Sequence, residues 1–141
     1  MEERGPVLAR RALLVIGTLI ALAGLYIVAQ PVDANDFEGT TGVAWTDFQT
    51  ANPEPAAYLE REARLLGVSF TFLGIAAAGM AATVLKRGDR GAWTVAWFLP
   101  LALVGASAVF FAGGGAMLGA FYAVAAVVSG VLVAIGLRAS T

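Results

Sequence analysis

Residues 52–88 read NPEPAAYLEREARLLGVSFTFLGIAAAGMAATVLKRG, and this stretch decides the fold. Asn52 suits a helix N-cap, because its side-chain oxygen can accept an orphan N–H of the first turn. Pro53 suits the first helical position, where its missing N–H costs nothing. Glu54 then meets the positive end of the helix dipole, and Lys86 and Arg87 meet the negative end. From Leu65 to Leu85 no residue carries a charge. At 1.5 Å per residue this stretch is roughly 32 Å long, close to the hydrocarbon thickness of a bilayer of about 30 Å. The pattern predicts a membrane-spanning helix with a polar extension over 53–64.

The remainder of the chain follows the same rule. Of 141 residues, 59% are apolar and only 13% charged, whereas charge in soluble domains is nearer a quarter. The apolar residues are gathered into four runs, at about 12–30, 65–85, 92–111 and 116–137. An all-α transmembrane four-helix bundle in one domain is expected. Small residues at four-residue spacing let helices approach in lipid. Gly74, Ala78 and Ala82 form such a seam in the second span, and Ala126, Gly130 and Ala134 one in the fourth. Gly17 and Ala21, and Ala102 and Ala106, repeat the spacing less extensively. A left-handed antiparallel bundle satisfies these seams.

Pro31 stops the first span. Arg10-Arg11 ahead of an apolar run also fits a cleavable signal, with small residues at Val32-Asp33-Ala34. The run exceeds the usual signal length, so a retained span is expected. The segment 31–64 is read as an outer loop followed by the helix extension. Gly39-Thr40-Thr41-Gly42 marks the loop. Thr46-Asp47-Phe48-Gln49 has capping-box form and predicts a short helix to about Ala51. Glu60 and Arg64 make a favourable i, i+4 pair. In the third span, Trp93 and Trp97 suit the headgroup region and Pro100 predicts a kink. Gly113-Gly114-Gly115 predicts a sharp turn before the fourth span.

Charge sets the expected orientation. The N-terminal head, the Lys86–Arg90 turn and the C-terminus together hold seven Lys or Arg and three acids. The opposite side holds Arg61 and Arg64 against seven acids. Both termini are therefore expected to be cytoplasmic in a multi-pass cell-membrane protein.

Chemistry is constrained mainly by what is missing. With no cysteine and no histidine, thiolate sites, disulfides and the commonest metal ligand are excluded. No charged residue lies within an apolar span, although ion paths and proton relays usually need one. The spans offer hydroxyls at Thr18, Tyr26, Ser69, Thr71, Thr83, Thr94, Ser107, Tyr122 and Ser129. Bonding back to helix carbonyls is their ordinary role; a polar patch holding a lipid or quinone headgroup is the sharper one. Asp33, Asp36 and Glu38 carry ligand-type oxygens but fail calcium-loop spacing, since Phe37 occupies a ligand position. They read as a solvated acidic surface that could meet a basic partner. Trp45, Phe48 and Tyr58 form an aromatic set suited to interface anchoring or to the mouth of a pocket.

No phosphate loop, dinucleotide fingerprint or nucleophile–base pair is present, so no cofactor, catalytic group or nucleic-acid partner is expected. The bilayer itself, a membrane-protein partner or a second copy are the expected contacts. Three short segments, Gly42-Val43-Ala44-Trp45, Asn52-Pro53, and Lys86-Arg87-Gly88-Asp89 followed by Ala92-Trp93, resemble small bacterial four-span membrane proteins of DoxX-like architecture. That resemblance implies a four-helix membrane protein, and no enzymatic role carries over from it. Two functions follow as expectations: a structural or accessory subunit, or a carrier of a small apolar ligand between helices.

Overall fold

Arg4–Ala29 forms one uninterrupted helix, α1, ending where Pro31 forbids continuation. It is followed by α2 (Ala34–Thr41), α3 (Trp45–Ala51), α4 (Pro53–Thr83), α5 (Arg90–Val95), α6 (Phe98–Ala112) and α7 (Ala116–Ala139). The computed structural model describes residues 4–85, 89–112 and 116–140. The expected roles of Lys86, Arg87 and Gly113–Gly115 therefore lie outside the described residues. Among the described residues there is no strand, and the fold is all-α.

Four stretches are long and apolar enough to cross a membrane: Gly5–Ala29, Pro53–Thr83, Arg90–Ala112 and Gly119–Ala139. Many of their large apolar side chains point outward. Leu22, Phe72, Leu101 and Val127 are each more than half exposed, while the interior includes Ala9, Ala77, Ala81 and Ala126. Such a distribution suits oil as the surrounding solvent, where helices associate through close packing of small residues. The chain is a multi-pass membrane protein.

The chain divides into two compact units, one holding residues 20–72 and the other the start of α1 together with everything from Leu73 onward. In the larger unit, segments of all four spans pack together. α1 meets α4 where Gly17 lies against the backbone of Gly74 and Ala78. The start of α1 also approaches α7, with Gly5 beside Ile135. The largest fully buried side chains here include Trp93, Tyr122, Leu13 and Leu103.

The third span departs from a single helix. Its helix breaks at Ala96-Trp97, giving α5 and α6. Pro100 has no N–H for the Ala96 carbonyl four residues back. The Leu99 N–H takes that carbonyl instead, at 3.2 Å, tightening the chain locally. The kink thus falls one turn before the proline that causes it.

The smaller unit corrects the expected loop. Residues 34–41 are helical, because the Asp33 carboxylate accepts the N–H groups of Asn35 at 2.9 Å and Asp36 at 3.3 Å. Gly39-Thr40-Thr41 forms the last turn of α2, and Gly42, at φ 72°, ends it in the left-handed conformation that only glycine takes readily. The capping box is also not formed. α3 starts two residues early, with Ala44 in the cap position and Thr46 already helical. Gln49 is drawn away, donating to the Glu60 carboxylate at 2.9 Å. Asn52 joins α3 to α4 through its backbone carbonyl, which accepts from Ala56 at 3.0 Å. Its side-chain amide turns backward and donates to the Phe48 carbonyl at 3.4 Å.

Candidate functional site: an apolar groove between two spans

The break before Pro100 lets α6 lean on α7 with a channel left between them. Ser107 fixes one point of contact, its hydroxyl donating to the Gly119 carbonyl at 2.9 Å. Elsewhere along the pair, α7 presents Ala123, Ala126, Gly130 and Ala134, too small to fill the space in front of Pro100 and Val104. The result is a laterally open groove of about 600 Å³, walled by Trp97, Leu101, Val127 and Val131. A Cβ placed at Gly130 would lie 3.7 Å from the Pro100 Cβ and 3.8 Å from the Trp97 ring, in ordinary contact. A larger side chain there would enter the groove. The seam expected in the fourth span is therefore the floor of an open channel.

The groove carries little polarity. Ser107, only 7% exposed, is its hydroxyl-bearing residue, and that hydroxyl already donates to Gly119. Sites for ligands with polar headgroups usually add a few convergent polar groups to an apolar wall. Most other hydroxyls of the spans bond within their own helix. Thr18, Ser69, Thr71, Thr83 and Thr94 donate to carbonyls four residues back, and Ser129 to one three back. Tyr26 instead reaches the Gln30 side chain at 3.0 Å. The aromatic residues expected at the interface divide: Trp97 is 37% exposed, whereas Trp93 is buried against Gly136 at 1% exposure. The Trp93 indole N–H has no hydrogen-bond partner among the described residues.

In the smaller unit, Trp45 and Phe48 stack with centroids 5.7 Å apart, and Phe37 packs on both, 4.8 Å from Trp45 and 5.1 Å from Phe48. Phe37 had appeared in the sequence only as a misfit in a calcium loop. Its place one turn into α2 makes it the third ring of a small core that joins α2 to α3. Tyr58 is 59% exposed and makes none of the described ring contacts. Asp33 serves as the cap of α2, while Asp36 and Glu38 sit on its exposed surface. Among the described residues no three carboxylates converge as a metal site would require. A polar chain links the segment to the spans. Gln49 reaches Glu60, Glu60 pairs with Arg64 at 3.9 Å, and Arg64 donates to the Val28 carbonyl in the last turn of α1 at 3.2 Å. A guanidinium there complements the partial negative charge of that helix end.

No family model, curated protein or solved structure matches the chain. The groove must therefore be read from its own chemistry.

Proposed function

We propose that this is an accessory integral membrane protein that seats an apolar transmembrane helix, from a partner subunit or a second copy, in the groove between α6 and α7. The observation that carries this reading is the groove floor, with Ala126, Gly130 and Ala134 at helical spacing beneath an apolar wall. Small residues at that spacing let a second backbone come close, the main source of helix affinity in lipid. Ridges of a visiting helix can enter such a groove. The four-span DoxX-like resemblance is compatible with this role and adds no activity.

A second reading, a carrier of a small apolar ligand, draws support from the groove volume of about 600 Å³, which falls in the range of small-molecule pockets. The scarcity of polar groups favours a simple hydrocarbon chain over a quinone head. Because the chain lacks cysteine, one experiment separates the readings. A photo-crosslinker attached at Val127→Cys should give protein–protein adducts in native membranes, and Gly130→Leu should abolish them. Lipid adducts alone, at the level given by Phe72→Cys on another exposed face, would overturn the helix-seating reading and support the carrier.

We infer that both termini face the cytoplasm in a cell membrane, on the support of seven basic residues on their side against two opposite. Gly39→Cys should react with a membrane-impermeant maleimide on intact cells, and Ser140→Cys only after permeabilisation. The reverse pattern would invert the orientation.

A further inference from the structure

Within the larger unit, a separate cleft of about 260 Å³ opens between α1 and α4. It is lined by Arg10, Arg11, Leu14, Ala81 and Ala82. Two adjacent guanidinium groups there meet α4 at Ala81 and Ala82, whose methyl side chains leave the room. Arg10 is half-buried and Arg11 exposed. Among the described residues, the ion pair that occurs is Arg64 with Glu60, so neither arginine of the cleft is paired with a described carboxylate. Asp89, the described acid of the larger unit, uses its carboxylate to accept the Gly91 N–H at 3.1 Å as the cap of α5.

Position matters as much as charge. Arg11 is the last charged residue before the uncharged run of α1, and Ala81 and Ala82 lie in the final turns of the uncharged run of α4. The cleft thus sits where hydrocarbon gives way to headgroups. Leu14, one of its walls, is 39% exposed, and Val15 and Leu19 continue that apolar surface along α1. A phosphate held by the arginines would leave its acyl chains lying on these residues. Basic pockets between spans are suited to anionic lipid headgroups, and guanidinium groups bind phosphate oxygens in bidentate fashion.

We propose that the Arg10–Arg11 cleft against Ala81–Ala82 is a binding site for the phosphodiester headgroup of an anionic phospholipid. The site is independent of the helix-seating groove, and neither depends on the other.

The test uses the full chain in nanodiscs containing equal amounts of phosphatidylglycerol and phosphatidylcholine with identical acyl chains, read by native mass spectrometry. Wild type should retain phosphatidylglycerol in preference to phosphatidylcholine. Arg10→Gln and Arg11→Gln should each reduce that preference about fivefold. Both leave Arg4, Lys86, Arg87, Arg90 and Arg138 on the same side, so orientation is kept. Ala82→Leu, an exposed position, should lower retention similarly by filling the cleft while every charge remains. Equal retention of the two lipids, or a preference that survives both the Ala82→Leu and the arginine changes, overturns the proposal. Inorganic phosphate provides the remaining arm. Loss of the bound lipid in millimolar phosphate would assign the cleft to the free anion and overturn the lipid assignment; retention supports it.

Discussion

Gly24→Ala should destabilise the protein by about 2 kcal/mol or more, although alanine is the better helix former by about 1 kcal/mol. In the smaller unit, α1 and α4 are in backbone contact at this residue. A Cβ on Gly24 would press on the Thr71 backbone nitrogen and lie 2.6 Å from the Gly67 carbonyl oxygen. The arrangement is mutual, since a Cβ on Gly67 would lie 2.8 Å from the Gly24 carbonyl oxygen and 2.9 Å from the Val28 nitrogen. Backbone cannot rotate aside as a side chain can, so the helices would have to part. In lipid that loss is not recovered elsewhere, because dispersion at close range supplies most of the association. The repeated Gly-to-carbonyl approach also suits weak Cα–H···O bonds, a secondary contribution. Gly79→Ala is the matched control, with nothing within 4 Å of the added methyl, and should be neutral or slightly stabilising. Thermal unfolding in one detergent checks the pair. Equal midpoints for the two variants would show that the backbones are not in contact at Gly24.

The glycines illustrate how far the sequence could be read. The spans were legible because water is excluded there, and a helix must satisfy its own backbone, so an uncharged run of adequate length has one outcome. Spacing picked out Gly74 and Ala78, which lie against Gly17, but it gave less weight to Gly17 and none to Gly24 and Gly67. A small residue marks a close approach only once its neighbour is known, and that neighbour is far away in the chain. Local signals failed where a distant partner outbid them. Gln49 had the right offset to cap a helix, yet Glu60 takes its amide. Gly39-Thr40-Thr41 looks like a turn until Asp33 nucleates α2 and moves the stop to Gly42. Pro100 announced a kink, and the i−4 rule places it at Ala96. The groove was not legible as a groove. Its floor was visible as a small-residue seam, but which residues faced that seam depended on where the broken third span came to rest.

Trp93 gives the second large effect, since nothing in its linear context separates a buried ring from an interfacial one. Its ring lies over Gly136 of α7 so closely that a Cβ there would collide with the ring carbons Cδ2, Cε3 and Cζ3. Gly136→Ala should therefore cost about 1–3 kcal/mol, as overpacking does when the displaced group is large and enclosed. Trp93→Leu should cost a comparable amount or more through the cavity it leaves. The indole N–H has no partner among the described residues, so losing it takes away no described hydrogen bond, and the penalty comes from lost packing, offset in part by removal of a buried unpaired donor. The double variant is the decisive measurement. With the ring gone, the new methyl at 136 enters vacated space and refills part of it. The combined cost should then fall below the sum of the single costs by about 1 kcal/mol or more, the coupling expected of residues in direct contact. Additive costs in thermal unfolding would mean that the ring does not rest on Gly136, and that α5 meets α7 by some other surface.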